Sequence, residues 1–258
     1  MKIVVIGGTG LIGSRLVKKL SESDNKVVAA SPETGVNAIT GEGVSDALKN
    51  ADTVVDVSNS PSYEDNAVLQ FFETSTSTLL KAEAVAGVRH HVVLSIVGTD
   101  RLPESGYYRA KLAQETLVKN SPIPYTIVRS TQFFEFVDGI AKASTDGDQV
   151  TLSPAYVQPI AADDLVNKLA EIVIRPALNG TQEIAGPDKV RLSEIVQDYL
   201  LAKADPRHVT ADTNARYFGT RLDDNSLIPS EGASLGTRSF SNWLAAQSFV
   251  LRSSARSG

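Results

Sequence analysis

The stretch "YYRAKLAQE" places Tyr107 and Lys111 four residues apart, a spacing that puts both side chains on one face if the segment is helical. Twelve residues upstream, Ser95 closes the apolar run of "HHVVLSIVGTD". A hydroxyl, a phenol and an ammonium are the parts of a proton-transfer site. An unperturbed phenol titrates near ~10, and a neighbouring ammonium favours the phenolate. A proton donor works best when its pKa approaches the working pH. The plainer alternatives are an aromatic packing at a helix start for Tyr107 and a strand-end hydroxyl bonded to backbone for Ser95. Tyr108, at i, i+3 from Lys111, reaches the same helix face.

Such a site needs elements that bring its parts together, and the first half of the chain supplies them. Apolar runs at 2–7, 26–31, 52–58, 90–98 and 124–130 read as buried strands. Helical patterns lie between them at 11–23, 45–51, 64–87 and from about Tyr107 onward, the third ending at Gly87, a residue suited to a helix C-terminus. This alternation predicts an α/β doubly wound parallel sheet with both faces covered. Ser95 then sits at the C-terminal end of its strand, where open α/β sheets place ligands. Beyond about residue 155 the pattern loosens into helices at 163–174, 192–204 and 239–249 and a short strand at 181–187. The expected organisation is a core at 1–155, a small C-terminal α/β cap at 156–250 that can lend the sheet an edge strand, and a tail at 251–258 of the kind a cloning vector leaves.

The first strand runs into "VIGGTGLIGSRLV", with Gly7, Gly8, Gly10 and Gly13. Gly8-x-Gly10-x-x-Gly13 fits the dinucleotide fingerprint of the Rossmann fold. Glycine is needed for the tight turn, for close approach of backbone to a pyrophosphate, and for helix–strand packing. The strand before and the helix after supply the confirming context. Gly7, Thr9, Gly10, Leu11, Ile12 and Gly13 are therefore candidate cofactor contacts, with the pyrophosphate over the N-terminus of the first helix. The second strand ends Ala29-Ala30-Ser31-Pro32, without the acid that usually holds the ribose hydroxyls of NAD. Glu33 lies beyond the proline. Ser31 leaves room for a 2′-phosphate, and Arg15 could supply its positive charge or be an ordinary solvated helix residue. NADP(H) is favoured over NAD(H).

Other strand ends complete the pocket. "SNSPS" (58–62) offers Asn59 and Ser60 to the ribose and nicotinamide side, although an Asn-Ser-Pro turn accounts for them equally well. "STQFFEF" places Thr131 as a cofactor contact, and Gln132, Phe133, Phe134 and Phe136 as substrate contacts forming an aromatic wall, at least one of them core packing. Asp163 and Asp164 look catalytic, but a helix N-cap is the simpler account.

Composition bounds the rest. The chain has 258 residues and a formal charge of −5, without the basic footprint of a nucleic-acid binder. It contains no cysteine, which excludes disulfides and a thiol nucleophile. Its three histidines include the adjacent His90 and His91, read as a strand entry, so no metal site is expected. No apolar run approaches the ~20 residues of a membrane span. "MKIVVIGG" lacks a signal-peptide layout, and the expected compartment is the cytoplasm.

The segments "GGTGLIGSR", "VVDVSNSPS", "HHVVLSIVGTD", "YYRAKLAQE", "PYTIVRSTQFFEF" and "QPIAADD" together resemble the atypical short-chain dehydrogenases/reductases of the NmrA-like, NAD(P)-binding group. The resemblance spans residues 1 to about 165. It implies that Tyr107 donates or accepts the substrate proton, that Lys111 binds the nicotinamide ribose and lowers the tyrosine pKa, and that Ser95 orients the substrate carbonyl. It implies an NAD(P)H-dependent oxidoreductase acting on a small-molecule carbonyl or quinone, as in relatives from aromatic polyketide metabolism. Two alternatives stay open: a cofactor-sensing regulator without turnover, and an isomerase or epimerase using bound cofactor transiently.

Overall fold

The protein is described by a computed structural model over residues 1–254. Its β-branched runs become strands because both faces of the sheet are covered. Ile3, Val4 and Val5 of β1 (Lys2–Ile6) have no exposed surface at all. Helix α1 (Leu11–Ser21) leads to β2 (Lys26–Ala30), and α2 (Val44–Leu48) to β3 (Thr53–Asp56). The long α3 (Asp65–Ala86) starts where the Glu64 carboxylate accepts the N–H groups of Asn66 and Ala67, and stops at Gly87, whose φ of 70° suits glycine. Strand β4 (His90–Ile96), helix α4 (Gly106–Lys119) and strand β5 (Tyr125–Ser130) follow.

The later elements are shorter. They are α5 (Val137–Ala143), β6 (Thr145–Asp146), β7 (Gln149–Leu152), β8 (Tyr156–Val157), α6 (Ala162–Val173), β9 (Gly180–Ala185) and β10 (Val190–Arg191). Then come α7 (Leu192–Ala202), β11 (His208–Ala211), β12 (Ser234–Leu235) and α8 (Phe240–Ser254). The seven-stranded sheet has the order β12-β9-β5-β4-β3-β1-β2. β1 pairs in parallel with β2 on one side and β3 on the other. The strand order thus reverses at β1, and the crevice between the C-terminal ends of β1 and β3 is the topological switch point where this Rossmann-like fold receives ligands.

The chain forms two compact units, Met1–Ser130 with Leu165–Glu183, and Thr131–Asp164 with Ile184–Gly258. Where the sequence reading divides the chain at 155, the first unit closes at the end of β5 and takes back most of α6 and of β9. The reason is local: the Asn179 N–H donates to the Tyr125 carbonyl at 2.7 Å, and Asn179 Oδ1 accepts from the Tyr125 N–H. The tail expected from 251 is in part helical, since α8 runs to Ser254. Its last four positions, 255–258, lie outside the described residues.

In the first unit, register and alternation set up a polar row. β4 pairs with β3 as Val54↔His91 and Asp56↔Val93, and with β5 as His91↔Tyr125 and Ser95↔Arg129. Side chains two apart on a strand share a face, so Asp56, His91, Ser95 and Arg129 all look the same way. This is the face that α3 and α4 cover, where Val93, Val118 and Ile127 form an apolar patch among the polar groups. His91 and Glu83, both without exposed surface, meet there at 2.9 Å. Sequence reading took the two histidines only as a strand entry.

In the second unit, β11-β7-β6 and β10-β8 form two small sheets. Asp163 and Asp164 are not the N-cap of α6: the helix begins at Ala162, and the Glu135 carboxylate accepts the Ala162 N–H at 3.2 Å. Asp164 Oδ2 is free of that duty and accepts the N–H groups of Thr237 and Arg238 at 2.6 and 2.7 Å. Among the described residues no helix is long and apolar enough to cross a membrane.

Candidate functional site

The glycine loop is a close fit of backbone against backbone. The Gly7 and Gly8 N–H groups both donate to the Ala30 carbonyl, at 2.9 and 3.2 Å, which folds the chain sharply after β1. Gly7 has a φ of 77°, and a Cβ there would lie 2.8 Å from the Ser58 Cα. A Cβ on Gly13 would lie 2.0 Å from the Gly7 carbonyl oxygen, so α1 can approach the loop only because Gly13 has no side chain. Gly10 caps α1 with no side chain of its own, and the first turn of α1 holds no acidic residue. Thr9, Gly10 and Leu11 are exposed, while Ile12 is buried. A helix N-terminus left open in this way, in a crevice lined by glycine, fits a pyrophosphate.

Ser31 follows β2 and is buried, yet its hydroxyl has no hydrogen-bond partner among the described residues. The Thr34 N–H donates to the Ser31 carbonyl instead, and the Ser31 N–H donates to Thr34 Oγ1. An orphaned hydroxyl at this strand end is what a nucleotide ribose or its phosphate would satisfy. Arg15 is half-buried in the first turns of α1, and Glu33 is exposed in the 3₁₀ turn Pro32–Thr34.

Lys111 lies on α4 and is 3% exposed. Its Nζ donates to the Leu94 carbonyl at 2.7 Å and to Gln114 Oε1, and stands 4.4 Å from the centre of the Phe72 ring. Burial pulls its pKa down to about 8, against the attraction of Asp56 and Glu115. Gln114 Nε2 donates to Asp56 Oδ2 at 3.0 Å. Asp56 Oδ1 accepts the Ser58 N–H at 2.9 Å and the Ser58 hydroxyl at 2.6 Å. Gln114 and Asp56 were missed from sequence. The signal available was modest: Gln114 stands at i+3 from Lys111, and Asp56 is an acid at the end of an otherwise apolar strand.

Tyr107 shares the helix with Lys111 but turns to other partners. Its hydroxyl donates to Asn59 Oδ1 at 3.1 Å. Its ring packs against Val68, Phe72 and Ala110 and lies 5.8 Å from the Tyr63 ring. Burial, and then the Tyr63 phenol, push its pKa up rather than down. The lowering that the resemblance implied is thus absent, because Lys111 directs its donors to Leu94 and Gln114. Asn59 is exposed beside Tyr107, and the buried Ser60 accepts the Ser62 N–H at 3.2 Å, as a turn would require. Tyr108 is buried, 3% exposed.

Ser95 is committed elsewhere. Its hydroxyl donates to Glu115 Oε1 at 2.7 Å. Glu115 also takes two hydrogen bonds from Arg129, at 2.9 and 2.8 Å, and Arg129 reaches Asp100 at 3.0 Å. Burial pushes Glu115 up, but the Arg129 and Ser95 hydrogen bonds outweigh it and hold the carboxyl below its ordinary range. A hydroxyl that has given its proton to Glu115 has none left for a substrate carbonyl.

In the second unit, the Thr131 N–H donates to the Ile184 carbonyl at 3.0 Å, and the Gln132 carbonyl accepts the Ile160 N–H at 2.8 Å. Phe134 is core, 2% exposed and packed on Phe240 and Trp243 with ring centres 5.1 and 5.7 Å away. The Phe133 and Phe136 rings meet at a tilt, with centres 5.3 Å apart, and Phe136 is 50% exposed. Of the three phenylalanines, Phe134 is the one that packing accounts for fully.

Comparison with known proteins agrees with this geometry. Residues 7–162 match the NAD(P)H-binding protein family. The chain is 26% identical over 153 residues to the Photosystem II assembly factor Ycf39 of Synechocystis sp., covering 54% of this chain and 47% of the relative. It is 28% identical over 225 residues to the divinyl chlorophyllide a 8-vinyl-reductase of Cucumis sativus, covering 72% of this chain and 53% of the relative. The chain thus spans about half the length of these two curated relatives. A solved short-chain dehydrogenase/reductase superfamily protein from Agrobacterium tumefaciens, with bound NAD, superposes with a TM-score of 0.74 at 16% identity, over 99% of this chain and 98% of that one. With the glycine cradle, the switch point and a family match over more than half its length, this chain belongs to the NAD(P)H-binding family and carries the short-chain dehydrogenase/reductase fold.

Proposed function

We propose that the protein is an NAD(P)H-dependent reductase of a small or medium carbonyl or quinone, with NADP(H) the preferred nucleotide. The observation that carries this reading is the pair on α4. A buried lysine ammonium is held at the end of β4, and four residues earlier a phenol is kept protonated beside the loop after β3. A phenol whose pKa is raised holds its proton throughout the neutral range. It is therefore in the protonation state that reduction of a carbonyl needs, though as a weak acid. When bound, the dihydronicotinamide supplies the hydride. Gly7, Thr9, Gly10, Leu11, Ile12 and Gly13 would hold the pyrophosphate, Arg15 and Ser31 would face the adenosine end, and Asn59, Ser60 and Lys111 would serve the nicotinamide ribose. Tyr107 would turn its hydroxyl from Asn59 and give its proton to the reduced oxygen. The name of one relative, a vinyl-reductase, supports a reductase but not the carbonyl or quinone substrate. Oxidation of NADPH against a panel of quinones and ketones tests the proposal, and no turnover with any of them, despite tight NADPH binding, sinks it.

One observation favours a second reading, a nucleotide-binding protein without turnover. Ser95 donates to Glu115, which leaves the site without the hydroxyl donor that would orient a carbonyl, and another relative is named as an assembly factor. The same NADPH experiment separates the two.

A further inference from the structure

A buried ammonium needs a negative partner to remain charged. Around Lys111 that partner is not in direct contact. Between the ammonium and the Asp56 carboxylate stands the Gln114 carboxamide, its oxygen on Lys111 Nζ and its nitrogen on Asp56 Oδ2 at 3.0 Å. All three groups are buried: Lys111 is 3% exposed, Gln114 0% and Asp56 1%. Asp56 is itself fixed by the Ser58 N–H and hydroxyl. Ser58 is the residue whose backbone lies against Gly7, so one carboxylate ties the wall of the glycine crevice to the lysine of α4.

We propose that Asp56, acting through Gln114, is a positioning residue that keeps the Lys111 ammonium charged and aimed at the bound nucleotide. This rests on the reading of Lys111 as a ribose contact. Three donors sit on an ammonium. Leu94 and Gln114 take two, and the Phe72 ring closes another side, so the remaining donor has a restricted direction. The charged groups facing this cluster are Asp56 from β3 and Glu115 from α4 itself, while His91 of β4 faces Asp56 and is in turn held by Glu83 of α3. Glu115 is occupied by Arg129, Ser95 and Lys119, which leaves Asp56 as the acid linked to Lys111 by an unbroken hydrogen-bond path.

NADPH titrations by fluorescence from about pH 6.5 to 9.5, with melting curves for each variant, test this on the full chain. Wild-type affinity should fall as pH rises through about 8, where Lys111 loses its proton. Asp56→Asn should bind within about twofold of wild type at pH 6.5 and show its midpoint lowered by about one pH unit, the size of a lost nearby charge. An unchanged midpoint in folded Asp56→Asn overturns the proposal, as does equal weakening at every pH, which is what plain structural damage gives. If Asp56→Asn does not fold, Gln114→Met breaks the path with both charges intact. It should weaken NADPH binding at pH 7 by about tenfold, and wild-type affinity there overturns the proposal. Wild-type binding by Lys111→Ala would instead remove Lys111 as a nucleotide contact, and with it the reading above.

Discussion

The Tyr107 hydroxyl donates to Asn59, 3.1 Å away on the loop after β3, although Lys111 stands one helical turn along the same face of α4. The phenol and the ammonium are therefore neighbours with separate partners, and each answers to its own environment. Tyr107→Phe should leave NADPH affinity nearly unchanged and lower turnover of an unactivated ketone by roughly 10²–10⁴-fold. A readily reduced quinone needs less protonation during hydride transfer and should be slowed much less. Steady-state rates on one substrate of each kind check this, and full ketone turnover in the variant would remove Tyr107 as the proton donor. With the phenol's pKa raised, Tyr107 ionisation should not limit the rate near neutral pH. Any loss of rate near pH 8 belongs to Lys111.

Two glycines of one loop should behave oppositely. A Cβ at Gly13 meets the Gly7 carbonyl at 2.0 Å, whereas at Gly10 the nearest contact is that same oxygen at 3.4 Å, and Gly10 has an ordinary φ of −74°. Gly13→Ala should destabilise the fold by about 1–3 kcal/mol, the usual cost of overpacking, and abolish measurable nucleotide binding. Gly10→Ala should keep its melting temperature within a few degrees. Calorimetry with NADPH titration distinguishes them.

NADPH should bind more tightly than NADH, because β2 is followed by Ser31, whose buried hydroxyl makes no hydrogen bond among the described residues, and not by an acid. Arg15→Ala should weaken NADPH selectively, by about tenfold if the guanidinium meets the 2′-phosphate. Tighter NADH binding would reverse the preference and bring Glu33 forward as a ribose ligand.

Removing one member of the buried Glu115–Arg129 pair strands the other. Glu115→Ala should cost about 3–5 kcal/mol, read from denaturant unfolding, since among the described residues Arg129 is then left with the half-exposed Asp100 as its acid. Tight folding of this variant with unchanged stability would show that the pair contributes nothing net.

His91 gives a pH signature of opposite sense to a carboxylate. Burial lowers its pKa, but Glu83 and Asp56 more than restore it, and the net shift is upward from 6.5. A raised folded pKa contributes stability that is complete below pH ~6.5 and is lost as pH rises through the folded value. The melting temperature should therefore decline on the alkaline side of 6.5, and His91→Gln should flatten that decline. An identical slope in the variant would assign it to other groups.

The glycine loop and the ends of α3 were legible in sequence because each is set by its own residues: Gly13 by steric need, Gly87 by its left-handed φ of 70°. The parallel strands were legible because burial on both faces leaves unbroken apolar runs. The short strands of the second unit, such as Thr145–Asp146 and Val190–Arg191, were not, since two residues carry no period. The helix Val137–Ala143 was hidden by its length and by Gly139 within it. At the site, Tyr107 and Lys111 could be paired by spacing, but their real partners could not. Asn59 lies 48 residues from Tyr107, and Asp56 lies 58 from Gln114. The Ser95 hydroxyl looked available at a strand end, and only the α4 packing that brings Glu115 beneath it decides otherwise.

A carboxamide has one end that accepts and one that donates, and between a cation and an anion it has a single tolerable orientation. Gln114 points its oxygen at Lys111 and its nitrogen at Asp56. Reversed, it would set donor against donor on one side and acceptor against acceptor on the other. Asp56 pins the nitrogen end whatever the charge on Lys111, so loss of the lysine proton weakens the bond at the oxygen end without reversing the amide. The strength of that one bond is consequently a gauge of the lysine's charge, legible in the side-chain NH₂ shifts of Gln114 as pH passes about 8 without any substrate present.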